Sequence, residues 1–375
     1  MSFQELDDYS WLECNQKTDM AFSGFRVKPR RRDQIAAIDL GAFSTKAVHL
    51  QRRGEGFALL GFTIQPSPKA EPAPTREVMA EHLRKVMQGL GGRTRQVVLA
   101  MDVGESLMRH AEMPLVPVSD MRTMLKLNPK SYLQQDLPDY VFDCVAQPSK
   151  VAVAGPEPGK VPAKCKVIVG GVRRQYLDEL QAAARMAGVT LEMVVPNLIG
   201  PPNALELAQP AVFQKEVVAL VDLGYRHSSI NILQYGEMML NRVVPLGGDK
   251  LTASLADMMN ITYAEAEGIK VGMPQDVEST LQPLLAPIGR ELRASIDFYE
   301  HQQDVTVTQV LVSGAAARSE FMLQVLQAEL MVPCKNWNPA GVLELELALS
   351  AQRRMEFEQA SADLAVAVGA ALAAF

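Results

Sequence analysis

Two stretches of the chain place an acid and a glycine two residues apart, where an apolar strand gives way to a short polar turn. The first is Asp39–Gly41 and the second is Asp222–Gly224, each with the sequence Asp-Leu-Gly. A carboxylate at a strand end can hold Mg²⁺, usually through water, and glycine lets backbone approach a ligand without an intervening Cβ. Two such turns facing each other are suited to clamping a polyphosphate and its metal ion.

The residues after each turn supply further phosphate contacts. Successive backbone N–H groups in such a turn form an anion site, the hydroxyl of Ser44 adds a donor, and Lys46 adds a positive charge within reach. At Gly247 and Gly248 the backbone is free to approach phosphate closely. We therefore predict a phosphate-binding set made of Asp39, Gly41, Ala42, Phe43, Ser44, Lys46, Asp222, Gly224, Tyr225, His227, Gly247 and Gly248.

The segments that must hold these turns are themselves repeated. Three strands are predicted at Gln34–Gly41, Thr45–Gln51 and Phe57–Ile64, from apolar runs bounded by glycine turns. The same pattern returns from Glu216, and the two Asp-Leu-Gly turns are 183 residues apart. Asp and Gly are common turn residues, so one copy alone predicts only a β-turn. Two copies in the same strand context favour a ligand site between two homologous lobes.

The rest of the chain predicts an α/β protein. At 375 residues it is too long for one compact core, and strands alternate with amphipathic helices. A helix is expected over roughly Leu284–His301, with Pro283 and Pro287 either placing its start near Leu284 or kinking it. The predicted organisation is an extension over 1–33, a first lobe over 34–94 and 194–216, a small inserted α/β subdomain over 95–193, a second lobe over 217–357, and a C-terminal helix over 358–375 packed on the first lobe.

Composition excludes several classes of protein. The chain is 48% hydrophobic and 21% charged, with a net charge of −6, which fits a globular protein and argues against nucleic acid as a partner. Its four cysteines are scattered, which favours reduced thiols over a zinc site or disulfides. The sequence predicts neither a secretory signal nor a transmembrane segment, so a cytoplasmic location is expected. The basic run at Phe25–Asp33 suits either a solvated extension or a tether to a partner or anionic lipid.

The ordered motifs together resemble a known family. After the two turns come "LGG" at Leu246–Gly248, "EAEGIK" at Glu265–Lys270, and "LVSGAAARSEF", a strand, a glycine turn and a helix. This order is similar to the two-lobed, duplicated ribonuclease H-like fold shared by actin, sugar kinases and Hsp70 chaperones. Within that fold the chain resembles the type IV pilus assembly protein PilM and its cell-division relative FtsA. The segment "NRVVPLGGDKLTASLADMMNITYAEAEGIKVG" is the closest match, and the resemblance covers roughly residues 34–375.

The resemblance implies an ATP site between the lobes, with Mg²⁺ held near Asp39 and Asp222 through water. It implies that Glu267 and Lys270 lie near the ribose and base, and that an adenosine turn is formed by Gly314, Ala315 and Arg318. It also implies that the inserted subdomain helps to form a groove for the cytoplasmic tail of a bitopic inner-membrane pilus protein. The expected protein is thus a cytoplasmic, ATP-binding scaffold, held at the inner face of the membrane through that partner and other pilus components.

The chain departs from the family pattern where phosphate would bind. Ala42 and Phe43 follow the first glycine in place of a small hydroxyl residue, and a single glycine, Gly314, stands in the adenosine turn. Fewer hydroxyl donors weaken phosphate binding, so ATP binding without appreciable hydrolysis is expected. Two alternatives stay open: an FtsA-like membrane-associated filament protein, and a degenerate actin-fold scaffold that has lost its nucleotide. A small-molecule kinase is disfavoured because no base for an acceptor hydroxyl is recognisable.

Overall fold

The protein is built from two lobes, each with a mixed β-sheet covered by helices. The computed structural model describes residues 33–68, 74–91, 94–147, 164–314, 319–346 and 350–375. Its strands are β1 (Gln34–Leu40), β2 (Ser44–Arg53), β3 (Gly56–Pro66), β4 (Gln96–Met101), β5 (Ser106–Pro114), β6 (Tyr140–Ala146), β7 (Lys164–Arg173), β8 (Thr190–Pro196), β9 (Val217–Leu223), β10 (Ser228–Gln234), β11 (Glu237–Val244), β12 (Gln309–Ser313), β13 (Cys334–Asn336) and β14 (Glu344–Leu345). Its helices are α1 (Arg76–Gly89), α2 (Val118–Leu127), α3 (Pro129–Leu133), α4 (Arg174–Ala187), α5 (Gly200–Ala208), α6 (Pro210–Lys215), α7 (Gly248–Met259), α8 (Tyr263–Gly272), α9 (Glu278–Gln303), α10 (Glu320–Leu330), α11 (Ala351–Ala360) and α12 (Ala365–Leu372).

The two large sheets share one strand order, apart from the additional edge strand β14 in the first. The first runs β14-β3-β2-β1-β4-β8 and the second β11-β10-β9-β12-β13. In each, an antiparallel three-stranded meander is extended by two parallel strands. The register also repeats: Asp39 pairs with Lys46 across β1 and β2, and Asp222 pairs with Ser229 across β9 and β10. The predicted duplication is confirmed, and within the hairpin it preserves every residue position.

The central strands are buried on both faces, which explains their nearly unbroken apolar sequences. In β1, Ile35 and Ala37 face the core that contains α5 and α12, whereas Ala36 and Ile38 face α1 and α4. Alternating side chains of one strand point to opposite faces of a sheet, so this single strand ties both helical layers together. In the second sheet, Val217 and Ala219 of β9 face α7, α9 and α10, whereas Val218 and Leu220 face the core that contains α5 and α12.

A separate three-stranded antiparallel sheet, ordered β5-β7-β6, forms an inserted subdomain with α2 and α3. The prediction of 95–193 for this subdomain was too wide, because β4 and β8 pair inside the first-lobe sheet and α4 packs against α1. The inserted sheet also touches the second lobe. The side chain of Gln147 donates to the Met238 carbonyl at 2.7 Å, and that of Asn241 donates to the Met108 carbonyl at 3.1 Å.

The chain returns to the first lobe earlier than expected. Strand β14 pairs in parallel with β3, so the change of lobe comes before Glu344 and not at 358. Helices α12 and α5 then cross in close contact. A Cβ built on Gly369 would lie 1.8 Å from the Gly200 carbonyl oxygen, and the Asn203 side chain donates to the Gly369 carbonyl at 3.0 Å. This crossing joins the C-terminal helix to the segment that links the two lobes.

Helix α9 contradicts the predicted start at Leu284, since it begins at Glu278 and contains Pro283 and Pro287. Proline removes a backbone donor from a helix interior, but the buried face that includes Leu281 and Leu285 holds the helix on the second sheet. At 26 residues α9 is long, yet within the described ranges no helix combines the length and apolar character needed to cross a bilayer.

Candidate nucleotide cleft

The two Asp-Leu-Gly turns end the central strand of each lobe and share one backbone geometry. A Cβ built on Gly41 would lie 2.7 Å from the Ser44 carbonyl oxygen, and one on Gly224 would lie 2.6 Å from the His227 carbonyl oxygen. Both distances are too short for a real Cβ. Each glycine is therefore required by the tight turn itself, independently of any ligand.

Asp39 is a buried carboxylate, only 4% exposed, at the tip of β1. Its closest described counter-charge is Lys46, whose Nζ lies 3.8 Å from Oδ2. Burial raises the pKa of Asp39 to about 7; Lys46 opposes the shift, and the charges of Asp222 and Asp102 add to it. Burying a carboxylate is costly unless a cation accompanies it. The position therefore suits a further positive charge, such as a hydrated divalent metal ion.

Asp222 is held differently from Asp39. The hydroxyl of Ser313, at the end of β12, donates to Asp222 Oδ1 at 2.8 Å. Gly314 follows with φ +93°, and a Cβ there would lie 2.4 Å from the Leu223 carbonyl oxygen. The predicted adenosine turn thus begins directly against the second Asp-Leu-Gly turn. Ala315 and Arg318 lie outside the described residues.

An aromatic pair joins the turns of the two lobes. The rings of Phe43 and Tyr225 lie with their centroids 4.8 Å apart and their planes at 32°. The hydroxyl of Tyr225 shares a hydrogen bond of 3.0 Å with Tyr263, which in turn donates to Asp249 Oδ1 at 2.7 Å. Phe43, the bulky residue noted in the sequence as a departure, therefore meets Tyr225 between the two turns.

A second contact between the lobes involves a residue that the sequence analysis missed. Asp102 follows β4, the parallel neighbour of β1, and its Oδ1 lies 3.7 Å from His227 Nδ1 in the second turn. The same oxygen accepts the Gly104 N–H at 2.8 Å. The sequence signal was present, because Asp102-Val103-Gly104 is a third Asp-x-Gly at the end of a strand.

The double glycine packs on the second turn. The N–H of Gly248 donates to the Gly224 carbonyl at 3.0 Å, and the N–H of Asp249 donates to the Tyr225 carbonyl at 2.9 Å. A Cβ built on Gly247 would lie 2.4 Å from the Tyr225 carbonyl oxygen. These glycines allow the start of α7 to close on the turn, and two N–H groups of that helix end are already used there.

Glu267 and Lys270 form an internal network between α7 and α8. Lys270 is 9% exposed, and its ammonium donates to Thr252 Oγ1 at 2.6 Å, to Glu267 Oε2 at 2.7 Å and to the Gly248 carbonyl at 3.3 Å. An ammonium group has three donors, so all three are engaged. In this arrangement the pair fixes the first turn of α7 against α8.

These observations decide how well the cleft fits Mg²⁺ and a polyphosphate. The buried carboxylate of Asp39, which has Lys46 at 3.8 Å as its closest described counter-charge, and the two tight glycine turns fit Mg²⁺ and a polyphosphate. The side chains of Phe43 and Tyr225 do not fit a bound polyphosphate, because their rings fill space between the two Asp-Leu-Gly turns. In the part of the chain described, no three His, Cys, Asp or Glu side chains converge at metal-binding geometry. A metal ion would therefore rest on one or two carboxylates and water, which is usual for Mg²⁺.

Two lobes whose sheets repeat the same order of five strands define the class of actin-like folds, and comparison with solved structures agrees. A structure titled "PilM-PilN type IV pilus biogenesis complex" matches with a TM-score of 0.77 at 20% identity, over 91% of this chain and 98% of that one. The ethanolamine utilization protein EutJ from Carboxydothermus hydrogenoformans matches at 0.50 and 15% identity, over 92% of each chain. MreB5 of Spiroplasma citri bound to ADP matches at 0.50 and 10% identity, over 88% and 97%.

The family model of the type IV pilus assembly protein PilM matches residues 37–375. The chain belongs to this family.

Proposed function

We propose that the protein is a nucleotide-binding scaffold of a type IV pilus machine, and that it binds Mg-ATP between the two turns with negligible hydrolysis. The observation that carries the nucleotide part is the buried carboxylate of Asp39 at the end of a duplicated glycine turn, where burial raises its pKa and Lys46 is the closest described counter-charge. Mg²⁺ bound together with a polyphosphate would place a further positive charge beside this carboxylate. Slow turnover is expected because hydrolysis needs a group to position water, and the second turn offers only His227 beside Asp102.

The partner part of the proposal rests on family membership and on the likeness to a complex whose title names PilN. We expect this chain to bind the cytoplasmic tail of an inner-membrane pilus protein, with the inserted subdomain forming part of the groove. The protein would then lie in the cytoplasm at the inner face of the membrane, anchored through that tail and through other pilus components.

One set of measurements tests the proposal. Titration calorimetry with ATP, with and without Mg²⁺, should show binding that requires the metal, and a phosphate-release assay should show little turnover. Capture of tail peptides from inner-membrane pilus proteins should succeed with the intact protein. Rapid turnover with an added acceptor would contradict the scaffold function, and ATP-dependent sedimentation would favour a filament protein.

A second function is favoured by one specific contact. The rings of Phe43 and Tyr225 bridge the lobes by direct contact, as expected of a scaffold that keeps the fold and has replaced nucleotide by side chains. In that case the titration shows no heat at any Mg²⁺ concentration, while the tail peptides still bind. The two functions therefore give opposite results in the ATP titration and the same result in the capture of tail peptides.

A further inference from the structure

A series of hydrogen bonds, buried at His82 and partly buried at Ser67, runs from helix α1 to the first turn. His82 Nε2 lies 2.7 Å from Thr45 Oγ1, Thr45 Oγ1 lies 3.1 Å from Ser67 Oγ, and Ser67 Oγ donates to the Gly41 carbonyl at 2.6 Å. Thr45 is 1% exposed and His82 is 7% exposed. The path therefore links the helix to the turn through the protein interior.

Each hydroxyl group has one hydrogen to donate, and this fixes the donor in every hydrogen bond of the series. Ser67 has one hydroxyl hydrogen, and it is used on Gly41. Thr45 must therefore donate to Ser67, and His82 must donate to Thr45 from a protonated Nε2. With the opposite tautomer, Thr45 would donate to the imidazole, and the pair of hydroxyl oxygens would share no hydrogen.

Ser67 holds two peptide units of the turn. Its hydroxyl binds the Gly41 carbonyl, and its own N–H donates to the Phe43 carbonyl at 3.0 Å. In a planar trans peptide the N–H points opposite to the preceding C=O. The N–H groups of Ala42 and Ser44 consequently point away from Ser67, and the two hydrogen bonds made by Ser67 fix their direction.

The second lobe performs the same task with different groups. The carbonyls of Gly224 and Tyr225 are held by the N–H groups at the start of α7, at 3.0 and 2.9 Å. In the duplicated position of Thr45, Ser228 donates to the Leu246 carbonyl at 2.7 Å. Both turns are thus held through their carbonyls, the second by the start of α7 and the first by the backbone N–H and the hydroxyl of Ser67, which is linked through Thr45 to His82.

We propose that His82 is a positioning residue for the first phosphate turn, acting through Thr45 and Ser67 to set the direction of the Ala42 and Ser44 amides. The part that concerns phosphate rests on the proposed nucleotide function. The tautomer of His82 and the hydrogen bonds of Ser67 do not rest on that function, because they are properties of the protein without nucleotide.

The first test is spectroscopic and uses the nucleotide-free protein. The chain has five histidines, so ¹⁵N imidazole shifts can be assigned by comparison with His82→Gln. His82 should carry its proton on Nε2 at neutral pH. In Ser67→Ala the hydrogen of Thr45 loses its acceptor and can turn towards His82, so the Nδ1–H tautomer should grow. A wild-type ring protonated on Nδ1 alone would overturn the proposal.

The second test uses affinity and amide exchange together. His82→Leu removes the donor, whereas His82→Gln keeps a donor near the position of Nε2. We expect His82→Leu to speed exchange in the segment 40–46 at least fivefold and to weaken Mg-ATP binding at least fivefold, with both effects largely rescued in His82→Gln. Asn231→Ala, which removes a buried hydrogen bond to the Leu198 carbonyl in the second lobe, serves as the control for general destabilisation.

The outcomes separate the two proposals. If the wild type binds no ATP, the nucleotide function fails, and the exchange and tautomer data still decide the role of His82. If ATP binds and His82→Leu leaves exchange in 40–46 unchanged, or if His82→Gln behaves like His82→Leu, His82 is only a core residue.

Discussion

The rings of Phe43 and Tyr225 pack against each other although the two residues belong to different lobes. We expect a phosphate that binds between the two turns to displace this pair, which is worth about 0.5–1.5 kcal/mol beyond the area it buries. Phe43→Ser removes the ring and adds a hydroxyl, so Mg-ATP should bind about two- to tenfold more tightly. Titration calorimetry measures the change. Phe298→Ser, at an exposed ring on α9, is the control, and an unchanged affinity in Phe43→Ser would show that the pair does not compete with nucleotide.

Asp39→Asn should stabilise the metal-free protein at pH 8. Burial raises the pKa of Asp39 to about 7, from an ordinary value of 3.8, so the folded protein holds this proton more tightly than the unfolded chain. The wild type therefore loses stability as pH rises from 4 to 7, at about 1.4 kcal/mol per pKa unit at most. The melting temperature of the variant in EDTA should exceed that of the wild type most at pH 8, and the gap should narrow towards pH 5.

Adding Mg²⁺ supplies the companion measurement. At pH 8 the ion should raise the melting temperature of the wild type, because it binds the folded carboxylate, and leave that of Asp39→Asn unchanged. A gap that stays constant with pH, or an equal effect of Mg²⁺ on both proteins, would argue against a charged Asp39 as the source of the instability.

Lys270→Met should destabilise the second lobe by about 1–3 kcal/mol, since it leaves Glu267 without the cation that pairs with it. The range lies below that of a fully buried pair because Glu267 is partly exposed. The double variant Glu267→Gln/Lys270→Met removes both charges and should recover part of the loss. Chemical denaturation of the single and double variants gives the coupling energy, and purely additive effects would contradict the network.

Gly369→Ala should cost at least about 3 kcal/mol, because the added methyl would overlap the backbone of Gly200 where α12 crosses α5. The matched control is Gly268→Ala in the middle of α8, where a Cβ meets nothing within 4 Å. That change should stabilise the protein by about 0.5–1 kcal/mol through helix propensity. Denaturant midpoints compare the two, and equal effects would refute the close crossing.

The local parts of the fold were predictable from the sequence. The hairpins and their repeat follow from apolar runs that end in Asp-Leu-Gly, and these signals lie within a few residues of each other. The inserted subdomain was drawn too wide because the apolar pattern of β4 and β8 does not say which sheet they join. The early start of α9 was missed because the packing of its buried face outweighs the two prolines.

The positions of the two Asp-Leu-Gly turns were predictable, but the contacts around them were not. Asp39 and Asp222 stand out in the sequence because their spacing from glycine is a local signal. The meeting of Phe43 with Tyr225 depends on how the lobes pack, and the engagement of all three Lys270 donors depends on how α7 meets α8. No pattern within one segment reports on such distant pairings.

The inserted sheet touches β11 of the second lobe through the side-chain amides of Gln147 and Asn241, while its chain emerges from the first lobe. The inserted sheet is therefore joined covalently to the first lobe and by hydrogen bonds to the second. A rotation of the second lobe would either move the inserted sheet with it or break both hydrogen bonds. In either case the rotation would change the surface that a protein bound to the inserted sheet contacts.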